Sequence, residues 1–323
     1  MPSSQTILGL PFFNGTPAEA VAAIAQDGGL LVAPSGTCFE RFLADVDYRR
    51  ALLTANLVLP DSGAMVTLWR LRGGPNLQRI SGLTYLKTLL SVIDLGEVFW
   101  VLPHERAQIR LLAWLEEITN REMRAAKSPS SELSAPASLL PASGSALPTP
   151  RSQLPPPGSE LSAPASPLPT PRSGLPAPSS ALPPPNSAIR NPQSAIPPCY
   201  LAPIYGPSVE DPALLALIEA RRPRHVIIGF GAGAQEKLGW YLREHASYRP
   251  AIHCIGGALG FVTGEQVAIP NWADRWYLGW FLRFLSQPRA FLPRLWQARV
   301  LPGLIFRYGR ALPALVRRGE VGR

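Results

Sequence analysis

Asp61 follows the short apolar run Leu57-Val58-Leu59-Pro60 and precedes Ser62-Gly63. A carboxylate in the loop that ends a buried strand can take the proton of an acceptor hydroxyl or orient it. Aspartate is also an ordinary turn former, so its type and place fit both roles. A second group of residues lies at GFGAGAQE, where Gly229, Gly231 and Gly233 make a strand-to-helix turn whose backbone N–H groups can face a phosphate. The spacing is neither the dinucleotide fingerprint, because position 234 is Ala, nor a Walker A loop. Gln235 and Glu236 open the next helix. The amide can read a base or a sugar hydroxyl, and the carboxylate favours the helix dipole. Arg79 and the arginines near the C-terminus can neutralise a diphosphate. His104, His225, His245 and His253 lack metal-ligand spacing, and no catalytic triad is visible. Asp45-Val46-Asp47 lies inside a helical stretch, away from the strand ends. No metal and no organic cofactor are therefore expected.

The elements that must carry these loops alternate. Residues 6–10 read as a short strand. Thr16, Pro17 and Glu19 form a helix start with a capping box, and that helix ends at Gly28-Gly29. A strand at 30–34 leads through Ser35-Gly36 to a helical stretch over 39–54. Strands follow at 57–60 and 98–102, then a helix over 105–125. Further on come a strand at 199–205, a helix capped by Asp211 before Pro212, a strand at 225–230, a helix from about 235 to 245 and a strand at 251–257. This alternation predicts an α/β fold, Rossmann-like, with a mostly parallel sheet covered by helices on both faces. Ligands in such sheets sit at the carboxyl ends of the strands, where the loops 34–37, 61–64, 230–236 and 256–260 should open.

Length and composition frame that core. The chain has 323 residues, of which 46% are apolar and 16% charged, too apolar for a wholly disordered protein. Of 37 prolines, 20 fall within 128–198, a segment with no aromatic residue that repeats SELSAPAS and LPTPRS. Ser, Ala and Pro cannot bury enough surface to offset ordering entropy, so 127–198 reads as a disordered insertion of polyproline II character. The α/β domain is then 1–126 with 199–270. Three cysteines, Cys38, Cys199 and Cys254, are too few and scattered for a disulfide scaffold or zinc cluster and suit a reducing compartment. The N-terminal MPSSQTILGLPFF lacks the basic region of a secretory signal, and no apolar run is long enough for an ordinary transmembrane helix.

The formal net charge is +9, and residues 275–323 account for it with ten arginines, no lysine and one acid, Glu320. Trp272, Trp276, Trp280 and Trp296 lie in or just before that stretch. Arginine mixed with Trp, Phe and Leu is the composition of a segment lying on an anionic membrane surface. A nucleic-acid stripe and ordinary core aromatics are the competing readings. The bulk of Trp276, Leu278, Trp280, Phe281, Phe284 and Leu285 favours the membrane and no nucleic-acid partner. Residues 271–323 are thus read as a membrane-associating appendage that is helical over 274–286.

Taken in order, LLVAPSG, ANLVLPDSG at 55–63, RISGL at 79–83, GFGAGAQEKLGW, IGGA and the pattern Trp280, Arg283, Gln287-Pro288-Arg289, Arg294 resemble the WecG/TagA/CpsF family of bacterial glycosyltransferases. No single motif is specific; the order and spacing are. The resemblance covers nearly all of 5–126 and 199–310. It implies an enzyme that moves a sugar, often N-acetylmannosamine, from a UDP donor to an undecaprenyl-diphosphate-linked sugar in cell-surface polysaccharide synthesis, attached to the membrane by its C-terminal appendage. It further implies Asp61 as catalytic base, Arg79 near the diphosphate, Gln235 and Glu236 beside the nucleotide-sugar, and Arg283, Arg289 and Arg294 as the appendage's arginines. Such a protein is cytoplasmic and peripheral on the inner face of the plasma membrane.

The sequence departs from the family pattern at several points. Ala33-Pro34-Ser35 stands for Thr-x-Asn, which puts Ser35 in the substrate-binding set. Asp61-Ser62 stands for Asp-Gly, and Gly279 for a Glu before Trp280. Thr84 and Leu259-Gly260 stand where acids are usual, and Ala268-Ile269-Pro270 replaces Arg-Ala-Pro. With no covalent nucleophile in view, the expected reaction is a metal-independent, inverting displacement. A catalytically weak homologue that acts as a binding component is the alternative.

Overall fold

The computed structural model describes residues 3–127, 198–262, 292, 296 and 298–316. The insertion expected at 127–198 and the helix expected at 274–286 lie, but for residues 127 and 198, outside them. Apart from 125–127, the described residues belong to one compact unit, Met1–Arg124 with Ala188–Arg323.

The chain opens with β1 (Ser4–Ile7) and β2 (Leu10–Phe13), followed by α1 (Pro17–Asp27), β3 (Gly29–Val32), a 3₁₀ turn at Gly36–Cys38, α2 (Phe39–Ala44) and α3 (Val46–Leu53). Next come β4 (Leu57–Val58), α4 (Gly63–Leu71), α5 (Gly82–Leu90), β5 (Val98–Leu102) and α6 (Glu105–Lys127). After the insertion come β6 (Cys199–Leu201), α7 (Pro212–Arg221), β7 (His225–Ile228), α8 (Ala234–His245), β8 (Ala251–Cys254), α9 (Ala258–Val262) and α10 (Val300–Tyr308). The eight strands form one sheet in the order β1-β2-β4-β3-β8-β7-β5-β6. Among the described residues only β1 and β2 pair antiparallel, and every other pairing is parallel. The doubly covered α/β sheet read from the sequence is the observed fold.

Side-chain alternation along the strands gives the sheet two cores. On one face α2, α3, α4, α7, α8 and α10 cover Leu30, Val32, Phe99, Val226, Ile228, Ile252 and Cys254. On the other α1, α5, α6 and α9 cover Leu31, Leu57, Val98, Trp100, Ile227 and Ala251. The neighbours β3 and β8 therefore send their connections to opposite faces, β3 into α2 and α3, β8 into α9. The carboxyl ends of two such neighbours are where open α/β sheets bind ligands.

The strands expected at 57–60, 225–230 and 251–257 end two or three residues earlier, and three further expectations differ from the structure. Residues 6–10 form a hairpin rather than one strand, because Leu8 (φ 53°) and Gly9 (φ 78°) both take the left-handed region. Their N–H groups donate to the carbonyls of Gly309 (2.8 Å) and Arg310 (3.0 Å), so the C-terminal segment holds the turn. The stretch 39–54 breaks at Asp45, whose extended backbone and carboxylate cap α3 through Tyr48 N at 3.0 Å. An aspartate that caps competes with helix continuation. The strand expected at 199–205 ends at Leu201, since Pro203 has no N–H to continue a ladder.

Candidate active site

Asp61 leaves β4 at the carboxyl edge and is half-buried. Its N–H donates to Leu59 O at 2.9 Å, and its Oδ1 accepts the N–H of Gly82, the first residue of α5, at 3.0 Å. Arg79 Nε donates to the Asp61 carbonyl at 2.8 Å, and Ile80 N donates to Pro60 O at 3.3 Å. The loop 79–82 is thus folded back along 60–61, although about twenty residues separate them. Ser62 and Ser81 cap α4 and α5 by accepting from Met65 N (3.2 Å) and Thr84 N (3.1 Å). These serine caps were the available signal for two helices that the sequence reading left out.

Ser35 follows β3. Its hydroxyl lies 3.0 Å from Thr37 Oγ1 and 3.1 Å from Cys38 Sγ, so it braces its own turn. A Cβ on Gly36 would stand 2.9 Å from Ser62 Oγ, which puts the loop of β3 against the loop of β4. The residue there must be small.

Gln235 and Glu236 are buried, 1% and 0% exposed. Glu236 Oε2 accepts the N–H of Gly233 at 2.5 Å, and its Oε1 accepts Gln235 Nε2 at 2.9 Å. Gln235 Oε1 accepts the N–H of Gly256 at 2.8 Å. The two side chains therefore tie the glycine-rich turn after β7 to the loop after β8. Burial pushes the Glu236 carboxyl above its ordinary range, against the hydrogen bonds from Gln235 and Gly233 and the charge of Arg41. Gly233 takes φ 100°, a backbone conformation that favours glycine there.

Several residues beside these loops escaped the sequence reading. Arg41, exposed on α2, donates through a guanidinium nitrogen to Ala232 O in the glycine-rich turn. The contact spans 191 positions, and no local pattern announces it. Lys237 reaches the same region but is held by Asp45 Oδ2 and Pro207 O, each at 3.1 Å. Tyr205 lies at 5.9 Å between ring centroids from Phe230, the residue inside the glycine motif. Buried Asp211 fixes that aromatic, accepting from Leu214 N (2.9 Å), Tyr200 OH (2.9 Å) and Tyr205 OH (2.7 Å). Asp211 was legible as a helix cap, but not as the anchor of Tyr205.

The structure thus gathers Ser35, Asp61 and Arg79 on loops, and Gln235 and Glu236 on the first turn of α8, at one edge of the sheet. Arg283, Arg289 and Arg294 lie outside the described residues. A cavity of about 390 Å³, lined by Thr54, Asn56, Arg243, Tyr248 and Arg249, opens at the opposite, amino-terminal edge, away from all of these loops. Among the described residues no group of three His, Cys, Asp or Glu is placed to hold a metal ion. No described helix is long and apolar enough to cross a membrane.

A mostly parallel sheet with helices on both faces is consistent with a Rossmann-like glycosyltransferase. The family model for glycosyl transferases of the WecG/TagA/CpsF family matches residues 5–101 and 185–314, and the chain belongs to that family. No curated protein matches the chain. Membership supports a glycosyltransferase role in polysaccharide biosynthesis, with a sugar donor and an acceptor.

Proposed function

We propose that the protein transfers a hexose, N-acetylmannosamine-like or another, from a UDP-sugar to a sugar on a polyprenyl diphosphate at an anionic membrane surface. The observation that carries this reading is the Asp61 carboxylate, fixed by Gly82 N–H at the strand edge where the loops of β3, β4, β7 and β8 meet. In the proposed step Asp61 takes the proton of the acceptor hydroxyl. The hydroxyl oxygen bonds to the anomeric carbon from the face opposite the diphosphate. The bond from that carbon to the phosphate oxygen breaks with its electron pair, and UDP leaves with the configuration inverted.

Charge on the leaving diphosphate calls for fixed cations. Arg79, Arg283, Arg289 and Arg294 are the candidates from the resemblance, and Arg41 joins them because its guanidinium sits at the glycine-rich turn. Tyr205 and Phe230 offer a planar aromatic seat for a nucleobase beside the same turn. Gln235 and Glu236 serve by holding the turn and the Gly256 loop in one arrangement. Exposed Trp296, Phe306, Leu312 and Leu315 lie among Arg299, Arg307 and Arg310, a composition that suits the boundary of an anionic bilayer. The protein would work on the inner face of the plasma membrane.

Incubating purified protein with a panel of UDP-sugars and a short-chain lipid diphosphate acceptor tests this reading. Turnover that persists in EDTA, with an inverted product, is expected. A strict manganese or magnesium requirement would remove the metal-independent step. The second reading, a binding component with little turnover, is favoured by Thr84, which stands on the first turn of α5 where the family has an acid and hydrogen-bonds Ser81 Oγ at 2.8 Å. UDP-sugar binding without turnover on any acceptor would select it.

A further inference from the structure

A chain of buried polar groups crosses the otherwise apolar core under α5. Tyr85 OH lies 2.9 Å from His253 Nδ1, and His253 Nε2 lies 3.1 Å from His225 Nδ1. The three side chains are 0%, 0% and 1% exposed. The two imidazoles stack with centroids 5.3 Å apart on adjacent parallel strands, β8 and β7, where His253 pairs with Ile227 and His225 with Ala251. A buried polar chain left half-satisfied costs more than apolar side chains would, so its presence calls for a reason.

Its far end supplies one. Tyr85 N donates to Ser81 O at 2.9 Å, so Tyr85 belongs to the same first turn of α5 as Gly82. Gly82 N–H is the group that fixes Asp61 Oδ1. That turn has no slack on its other side, because a Cβ on Gly82 would stand 3.1 Å from the carbonyl of Ile255, just after β8. The Tyr85–His253 bond sets the position of the turn along the sheet, and the Ile255 contact sets its depth.

Resting on the proposed role of Asp61, we infer that Tyr85 and His253 are positioning residues for that carboxylate. His225, His253 and Tyr85 anchor the first turn of α5 to the central strands, and the Gly82 N–H delivers that anchorage to Asp61. The proton order follows from supply and demand. Tyr85 O–H donates to His253 Nδ1, which leaves Nε2–H of His253 to donate to His225 Nδ1. The reverse order would turn His253 Nδ1 into a donor and so deny the buried tyrosine proton this acceptor. Both imidazoles are then neutral, each with one N–H. The other titratable groups close to the chain are Arg224, beside His225, and Glu97, 3.9 Å from Arg224.

Isosteres of the imidazole separate the two bonds. His253→Asn keeps an acceptor at the Nδ1 position and loses the link to His225, whereas His253→Gln keeps a group at Nε2 and loses the link to Tyr85. The first readout is hydrogen exchange at the Gly82 amide in folded protein. Tyr85→Phe and His253→Gln should each speed it about tenfold or more, and His253→Asn should leave it near wild type. The second is transfer at saturating donor. Tyr85→Phe should lower kcat about tenfold, leave the donor KM nearly unchanged and move the acid limb of the pH profile. In an Asp61→Asn background the same change should add nothing, because both act through one group. Unchanged Gly82 exchange in Tyr85→Phe would overturn the inference. So would a kcat loss that adds in full to that of Asp61→Asn. Absence of transfer by the wild type on every donor would count against the proposed function alone, since the exchange readout does not depend on activity.

Discussion

Gln235 Oε1 and Gly256 N–H, 21 positions apart in sequence, meet at 2.8 Å beneath the carboxyl edge of the sheet. The bond joins the first turn of α8 to the loop after β8, while Gln235 Nε2 holds Glu236, which in turn holds Gly233. One amide thereby sets the spacing of two loops at the edge where the proposed donor would bind. This explains physically why two polar residues at a helix start are fully buried.

Replacing Gln235 tests that account. Gln235→Ala leaves one buried Glu236 oxygen without its partner, at about 1–3 kcal/mol for such a group, and frees the part-buried Gly256 N–H. Thermal unfolding should fall by several degrees, and the KM for the donor should rise more than kcat falls. An unchanged KM in folded protein would mean that the Gly256 loop does not contact the donor.

Asp61→Asn separates chemistry from architecture. Asparagine keeps an acceptor for the Gly82 N–H, so the fold and the melting temperature should hold. Loss of the general base should lower kcat by about 10²–10⁴. If the variant retains more than roughly a tenth of wild-type activity, Asp61 is a turn residue.

Acid should destabilise the protein below neutrality. Burial lowers His225 from 6.5 to about 4 and takes His253 well below its ordinary value. Between those limits the unfolded chain binds protons that the folded one refuses, so stability falls as pH drops from about 6.5 toward 4 and is level above. Glu236 has the opposite sign, since its raised carboxyl pKa favours the folded state as pH falls. Two imidazoles against one carboxyl leave a net loss. Urea midpoints between pH 7.5 and 4.5 should decline in the wild type and flatten in the double variant His225→Gln, His253→Asn. An equal decline in both would place the acid sensitivity elsewhere.

The sheet was legible because VFWVL, HVII and AIHC are short apolar runs bounded by turn residues, and because Thr16 and Asp211 are strong caps. Asp61 and the Gln235-Glu236 pair stood out by their positions after strands. What could not be read was long-range. The Arg41 contact with Ala232, the Tyr205 pairing with Phe230 and the Tyr85–His253 bond each join residues that no local period connects. The hairpin at Leu8-Gly9 was missed for the same reason, since its turn is completed by carbonyls of Gly309 and Arg310.

The C-terminal segment allows a sharper membrane test than truncation. α10 sends Leu301, Leu304 and Ile305 into the core, exposed by 1%, 6% and 0%, against α2 and α4. Arg49 donates to Pro313 O at 2.5 Å, and Val316 N donates to Leu43 O at 2.9 Å, so the chain is tied down as far as residue 316. Deleting this segment removes core, and Leu304→Ala alone should cost about 2–5 kcal/mol. A deletion that loses vesicle binding would therefore say little about lipid. Arg307 and Arg310 are exposed, and the segment's anchoring bonds at Gly309 and Arg310 use backbone carbonyls. Neutralising both as Arg307→Gln and Arg310→Gln should leave the melting temperature unchanged. At about 1 kcal/mol per basic residue near an anionic surface, the pair should weaken binding to phosphatidylglycerol vesicles roughly thirtyfold at low salt. Transfer to a water-soluble acceptor analogue should be spared. Vesicle binding equal to wild type would assign this face to some partner other than lipid, and a lost melting temperature would show that the two guanidinium groups belong to the fold.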